Sequence, residues 1–325
     1  MSENLTLVQA VRDGLRDEMA EDDDVLVMGE DVGKNGGVFR ATEGLYDEFG
    51  EDRVIDTPLA EAGIVGTAIG MAAYGLKPVP EIQFSGFMYP AFDQIVSHMA
   101  RLRTRSRGRY TCPMVLRAPM GGGIRAPEHH SESKEAFYVH EAGLKVAMPS
   151  TPYDAKGMLI ASIRDPDPVI FLEPKKIYRA FREEVPDGPY EVELGEAAVR
   201  REGSDLSVFT WGAMTRPTLE AAENMDGDVD VEVVDLRSLS PLDEDTIVAS
   251  FEKTGRAAIV HEAPRTAGVG AEITATLQEE ALLHQEAPIE RVTGFDVPFP
   301  LAALEDYYLP EPERIEDGIR EAVEF

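Results

Sequence analysis

The sequence predicts an α/β protein made of two parallel-sheet, three-layer domains, residues 1–185 and 186–325. Three observations carry this. Short apolar, β-branched runs such as Val25-Leu26-Val27-Met28 have strand length and are bounded by turn residues. Amphipathic segments of helical period alternate with them from residue 1 to about 180, the pattern of a parallel sheet covered by helices on both faces. Residues 179–190 are polar, proline-bearing and without period, and beyond them the alternation restarts.

In chain order, Thr6-Leu7-Val8-Gln9 is a capping box ahead of a helix through Met19 that faces Val11, Leu15 and Met19 to a core. A strand at 25–28 ends in Gly29-Glu30-Asp31, and the glycine-bearing loop 33–44 follows, its Gly36-Gly37 pair making a turn. Thr57 and Pro58 predict a helix start, as N-cap and first helical residue. Residues 78–84 read as a strand, 87–102 as a helix and 113–118 as a strand that feeds the loop 120–130. Ser150-Thr151-Pro152 opens a helix closing near Arg164, before a strand at 169–173 that Pro174 ends. The second half gives strands at 206–210, 229–236, 257–261 and 289–292. Its helices are expected at 217–225, from Ser240-Pro241 to Gly255, at 269–283 and at 315–323.

Composition narrows the function classes. The net charge of −30 comes from 61 acids against 31 bases and is spread along the chain, which argues against a nucleic-acid binder. Eight lysines in so acidic a sequence fit adaptation to high salt, where screening relieves self-repulsion. The alternating arginines at 101, 103, 105, 107 and 109 are expected to meet acidic surface on a partner chain. No apolar run reaches membrane-spanning length and no basic-then-apolar leader opens the sequence, so a cytoplasmic protein is expected. Cys112 is the only cysteine, which excludes an internal disulfide and a cysteine metal cluster.

The segment 57–70 is the most unusual. Gly63, Gly66 and Gly70 share one side of the predicted helix, each costing about 0.8–1.0 kcal/mol relative to alanine, so something must approach that side closely. Glu61 lies in line with Val65, Ala68 and Ala72, aimed into an apolar layer. It is either a first-turn acid matched to the helix dipole or a sequestered acid–base group. His130 follows three glycines and a proline in a loop that leaves the C-terminal end of a strand, where open α/β sheets bind ligands; it reads as a solvated histidine or as an acid–base group. Gly268-Val269-Gly270 lacks the third glycine of a dinucleotide fingerprint. Ser131 to Lys134 with Lys253-Thr254-Gly255 matches two of three β-lactamase signatures by coincidence. His129-His130 has no zinc-ligand spacing.

These segments, taken together and in order, resemble the β subunit of thiamin-diphosphate-dependent 2-oxo acid dehydrogenases, the decarboxylating component of pyruvate and branched-chain complexes. The resemblance rests on Gly29 to Gly33, Gly36 to Gly44, Asp56 to Gly63, Pro80 to Phe84 with Asp93-Gln94, Gly121 to Ser131, Ser150 to Gly157, Lys253 to Arg256 and His261-Glu262-Ala263. It implies a pyrimidine-binding domain followed by a transketolase C-terminal-like domain. Glu61 falls on the family glutamate that shares a proton with the aminopyrimidine ring of thiamin diphosphate and so activates its thiazolium carbon. Leu59 and Phe87 match positions that line that ring, with Gln83 and Glu30 close by. His130 matches the histidine assigned to the 2-oxo acid and to acyl transfer onto lipoyl-lysine. In some members a structural potassium ion binds the segment matching Ser162, Asp165 and Asp167, where Pro166 and Asp167 depart from the commoner asparagines.

The resemblance also implies partners. No Gly-Asp-Gly stretch for diphosphate and magnesium is present, so magnesium is expected through an α subunit in an α2β2 tetramer with a β–β contact, docked on a dihydrolipoyl acyltransferase core. The alternatives are an acetoin dehydrogenase β subunit, with the same fold and cofactor, and a non-catalytic scaffolding paralogue.

Overall fold

The computed structural model describes residues 2–325. Its first sheet has seven strands in the spatial order Ser238–Ser240, Lys145–Ala147, Val169–Pro174, Val115–Met120, Lys77–Glu81, Val25–Gly29, Val54–Asp56. All neighbours are parallel except the first pair, where Ser238–Ser240 runs antiparallel to Lys145–Ala147. That edge strand comes from the second half of the chain and ties the two units together. The predicted strand at 78–84 is shorter, Lys77–Glu81; the Ile82 N–H still donates to the Arg117 carbonyl at 3.0 Å, and the chain bends at Gln83 and Phe84.

Strand side chains alternate between two cores. Val25 and Val27 face the helices Leu7–Glu21 and Pro152–Arg164, whereas Leu26 and Met28 face the helix Glu61–Tyr74. The first helix starts as predicted: Gln9 Oε1 accepts from the Thr6 backbone N–H at 3.0 Å. Thr151 caps the Pro152–Arg164 helix, its hydroxyl oxygen accepting the Asp154 N–H at 3.1 Å.

The second sheet has the order Glu290–Gly294, Ala257–Pro264, Leu206–Thr210, Val231–Asp235, Ala198–Arg201, parallel except for Ala198–Arg201, which the sequence reading did not anticipate. Helices Thr215–Asn224, Glu244–Thr254, Val269–Glu280 and Pro312–Val323 cover it. Both cores run without a break from one unit into the other: Leu159 and Phe171 share a cluster with Val208 and Val233.

Several expectations are corrected. The stretch 179–190 is not bare linker, because Glu183–Pro186 pairs antiparallel with Ser2–Leu5. The helix expected at 87–102 is broken into a 3₁₀ segment Ser85–Ala91, a π-helical segment Gln94–Met99 and the short helix Leu102–Arg105. Pro90, inside the first piece, has no N–H to continue a ladder. Ser240-Pro241 does not cap a helix; Asp243 does, accepting the Thr246 N–H at 3.0 Å. Among the described residues no helix is long and apolar enough to cross a membrane.

Candidate active site

Four adjacent parallel strands of the first sheet end on the same side. Beyond Gly29 comes Glu30, beyond Asp56 come Leu59 and Glu61, beyond Glu81 come Gln83, Phe84 and Phe87, and beyond Met120 comes the loop to His130. The topology therefore gathers Glu30, Glu61, Phe84, Phe87 and His130 at the ligand-binding end of a parallel sheet.

The Glu61 helix begins three residues later than predicted. The Thr57 N–H donates to the Gly29 carbonyl at 2.9 Å, and Asp56 Oδ1 accepts the Gly33 N–H at 2.7 Å. These bonds keep residues 56–57 extended along the sheet, so Ala60 is the N-cap and Glu61 the first helical residue. The Thr57 hydroxyl is buried without a partner instead of capping. Val65, Ala68 and Ala72 are buried in line with Glu61, as expected. The glycine side is not covered within this chain: Ala62, Gly63, Thr67, Gly70 and Tyr74 are exposed, and Glu61 is half-buried. Gly66 lies over Gln94, whose Oε1 would stand 3.3 Å from an added Cβ.

Glu30 and Glu61 face each other. The Glu30 carboxyl is held above the usual carboxylate range by burial first and then by the charge of Glu61. Among the described residues no cation is paired with either. Leu59 is 78% exposed on the extended segment before Glu61, while Gln83 and Phe87 are half-buried.

His130 ends the 3₁₀ turn Glu128–His130, its N–H bonded to the Pro127 carbonyl at 2.9 Å. Its ring stands edge-on to Phe84 (centroids 4.5 Å) and Phe87 (4.9 Å), and its Nδ1 is buried with no hydrogen-bond partner. An imidazole fixed by two rings, with one nitrogen unsatisfied, is prepared for a group from outside the chain.

Sequence reasoning missed the polar layer beneath. Arg117 is fully buried between Glu173 (Nε–Oε1 2.6 Å, Nη2–Oε2 3.1 Å) and Glu81 (Nη1–Oε2 3.1 Å). The Tyr178 hydroxyl also donates to Glu173. Burial pushes the Glu81 carboxyl up although Arg117 pulls it down. The Tyr178 ring contacts Phe39 (5.2 Å), and Phe39 contacts Phe84 (5.5 Å), so the ionic layer braces the aromatic cradle of His130. The signal was present: each of these charges interrupts an otherwise apolar parallel strand.

The residues matched to a potassium site are already engaged. Asp165 pairs with Lys145, Asp167 with Arg103 at 2.5 Å, and the Ser162 hydroxyl donates to the Met158 carbonyl at 2.6 Å. Two of the five alternating arginines are likewise spent within the chain, Arg103 on Asp167 and Arg101 on Glu141 at 2.9 Å.

A model of the transketolase pyrimidine binding domain matches residues 3–180, and one of the transketolase C-terminal domain matches residues 195–315. The pyruvate dehydrogenase E1 component subunit beta of Bacillus subtilis is 53% identical over 322 residues, covering 99% of both chains. That of Staphylococcus aureus is 52% identical over the same length and coverage. The chain belongs to the β-subunit family of thiamin-diphosphate-dependent 2-oxo acid dehydrogenases. Its fold is shared by a split-gene transketolase solved as an inactive beta4 tetramer, at a TM-score of 0.80 and 20% identity over 99% of each chain. In this E1 β-type chain the pyrimidine-domain model spans all four strand ends that gather Glu30, Glu61, Phe87 and His130.

Proposed function

We propose that this chain is the β subunit of a pyruvate dehydrogenase, active with an α subunit in an α2β2 assembly, and that Glu61 and His130 are its catalytic residues. One observation carries the reading: a carboxylate pair with no paired cation among the described residues, Glu30 and Glu61, lies at the same strand ends as a histidine whose buried Nδ1 is unpaired. The donor set fits an aminopyrimidine, which needs a carboxyl to exchange a ring proton and apolar side chains to hold its faces. Leu59 and Phe87 supply those faces, with Gln83 and Glu30 at the margin. Thiamin diphosphate, when bound, supplies the electron sink for loss of carbon dioxide from a 2-oxo acid.

The protein's own work is to hold and move protons. Glu61 offers a carboxyl at the pyrimidine, and its charge adds to the burial that raises the Glu30 carboxyl beside it. His130, clamped by Phe84 and Phe87, presents its free nitrogen to the 2-oxo acid and to the acyl group bound for lipoyl-lysine. No group of three or more His, Cys, Asp or Glu that could hold a metal ion occurs among the described residues. Magnesium and the diphosphate are assigned to the α subunit because the sequence has no Gly-Asp-Gly stretch. The exposed glycine face of the Glu61 helix is the surface that a second subunit would cover, and the C-terminal domain would serve the β–β contact and the acyltransferase core.

Co-expression with the partner α chain tests this. Pyruvate is expected to be decarboxylated with an artificial electron acceptor, dependent on thiamin diphosphate and magnesium. Preference for a branched-chain 2-oxo acid or for acetoin would reassign the substrate, and inactivity of a verified assembly toward all of them would remove the catalytic reading.

A further inference from the structure

The loop that carries His130 is held from the second domain. Glu305, 1% exposed, accepts the Gly123 N–H at 2.9 Å and the Arg125 N–H at 3.1 and 3.2 Å. Glu262, also buried, accepts the Gly122 N–H at 3.2 Å. Close packing explains the three glycines: a Cβ on Gly121 would overlap the Glu262 carboxylate, one on Gly122 would lie 2.8 Å from the Phe299 ring, and one on Gly123 would overlap Lys176. The C-terminal domain demands the first two, and Lys176 of the first domain demands the third.

Two buried carboxylates need a counter-charge, and Lys175 provides it. Its ammonium, 3% exposed and without a hydrogen-bond partner, lies in the field of Glu262 and Glu305. Glu135, buried at the start of the helix Glu135–Val139 just past the loop, faces Glu262 from the first domain and accepts the Trp211 Nε1–H at 3.4 Å. The loop's far end is tied on its own side: the Glu132 carbonyl accepts the Ser85 hydroxyl at 3.0 Å and the Gly121 N–H at 3.4 Å. His130 thus hangs between a grip from the second domain and the turn that bears Phe87.

We propose that Glu305 and Glu262 are positioning residues for His130, so that the C-terminal domain sets the geometry of acyl transfer as well as any subunit contact. This rests on the proposed role of His130. A carboxylate accepting two amides is a charge-assisted, geometrically fixed tether, and a displacement of about 1 Å at an acid–base group can cost about 100-fold in rate.

The test uses the chain co-expressed with its α partner, in wild-type, Glu305→Leu and Glu305→Gln forms, and reads two quantities. The first is amide hydrogen exchange of residues 121–131, expected to quicken at least tenfold in E305L while the first sheet stays protected, and to stay within about threefold of wild type in E305Q, whose carbonyl still accepts. The second is the ratio of lipoyl acylation to decarboxylation with an artificial acceptor, expected to fall at least tenfold in E305L and to be restored in E305Q. Wild-type exchange or a wild-type ratio in E305L overturns the proposal. Should E305L not fold, Glu305→Asp keeps the charge, shortens the reach by one methylene and carries the same expectations. A wild-type assembly inert toward every 2-oxo acid refutes the catalytic assignment instead, and the exchange readout alone then decides the tether.

Discussion

Arg117 and Glu173 form a two-pronged ion pair with no surface in water, 2.6 and 3.1 Å long, linked through Tyr178 and Phe39 to the ring of Phe84. Removing the guanidinium leaves Glu173 and Glu81 as buried carboxylates without a cation. Arg117→Met is expected to destabilise the fold by about 3–5 kcal/mol, read from denaturant unfolding. A loss under about 1 kcal/mol would mean that water replaces the arginine.

Among the described residues Glu61 has no ion pair or side-chain hydrogen bond, so its value is expected to be chemical. Glu61→Ala should lower decarboxylation by the assembled enzyme at least about 100-fold while shifting stability by no more than about 0.5 kcal/mol. Steady-state turnover beside a thermal melt checks both, and near-normal turnover would remove the acid–base role.

Gly70 has nothing within 4 Å of where a Cβ would stand, and its helix face is exposed. Gly70→Leu should leave the isolated chain as stable or more stable by up to about 1 kcal/mol. The same change should block assembly with the α partner, if that face is closely covered in the complex. Size-exclusion chromatography of the co-expressed pair distinguishes the outcomes; a normal assembly would show that the glycines serve something else.

Burial pushes the Glu135 carboxyl up to about 7, helped by Glu262. Its ordinary value is 4.5, so between those values the folded chain binds the extra proton and stability falls as pH rises. The cost is on the order of 3 kcal/mol, complete above about pH 7. Lys175, lowered by burial to about 8, works in the other direction: stability returns as pH rises from about 8 toward 10.5. Glu135→Gln should flatten the slope between pH 5 and 7. Unfolding midpoints measured across that range check it, and an unchanged slope would assign the pH dependence to other groups.

How far the sequence reached can be seen residue by residue. The Thr6 and Thr151 caps, the apolar line Val65-Ala68-Ala72 and most strands follow from local pattern, because caps and periodicity are written in neighbouring positions. Thr57 misled for the converse reason. The Gly29 carbonyl and the Gly33 amide, distant in sequence, hold the segment extended, and no local rule weighs them. Ser2–Leu5, Val54–Asp56, Lys145–Ala147, Glu183–Pro186, Ala198–Arg201 and Ser238–Ser240 were missed because strands of three or four residues gain their pairing from partners elsewhere in the chain.

By itself the sequence determined the alternation of elements, the family resemblance and the roll of Glu30, Glu61, Phe87 and His130, since each depends on residue type and order. Only the tertiary structure decided that the glycines at 121–123 yield to Glu262, Phe299 and Lys176, that Arg117 is enclosed by two acids, and that the glycine face at 63–70 is open. Close approach and burial are properties of pairs of distant segments, and a linear pattern holds only one member of each pair at a time.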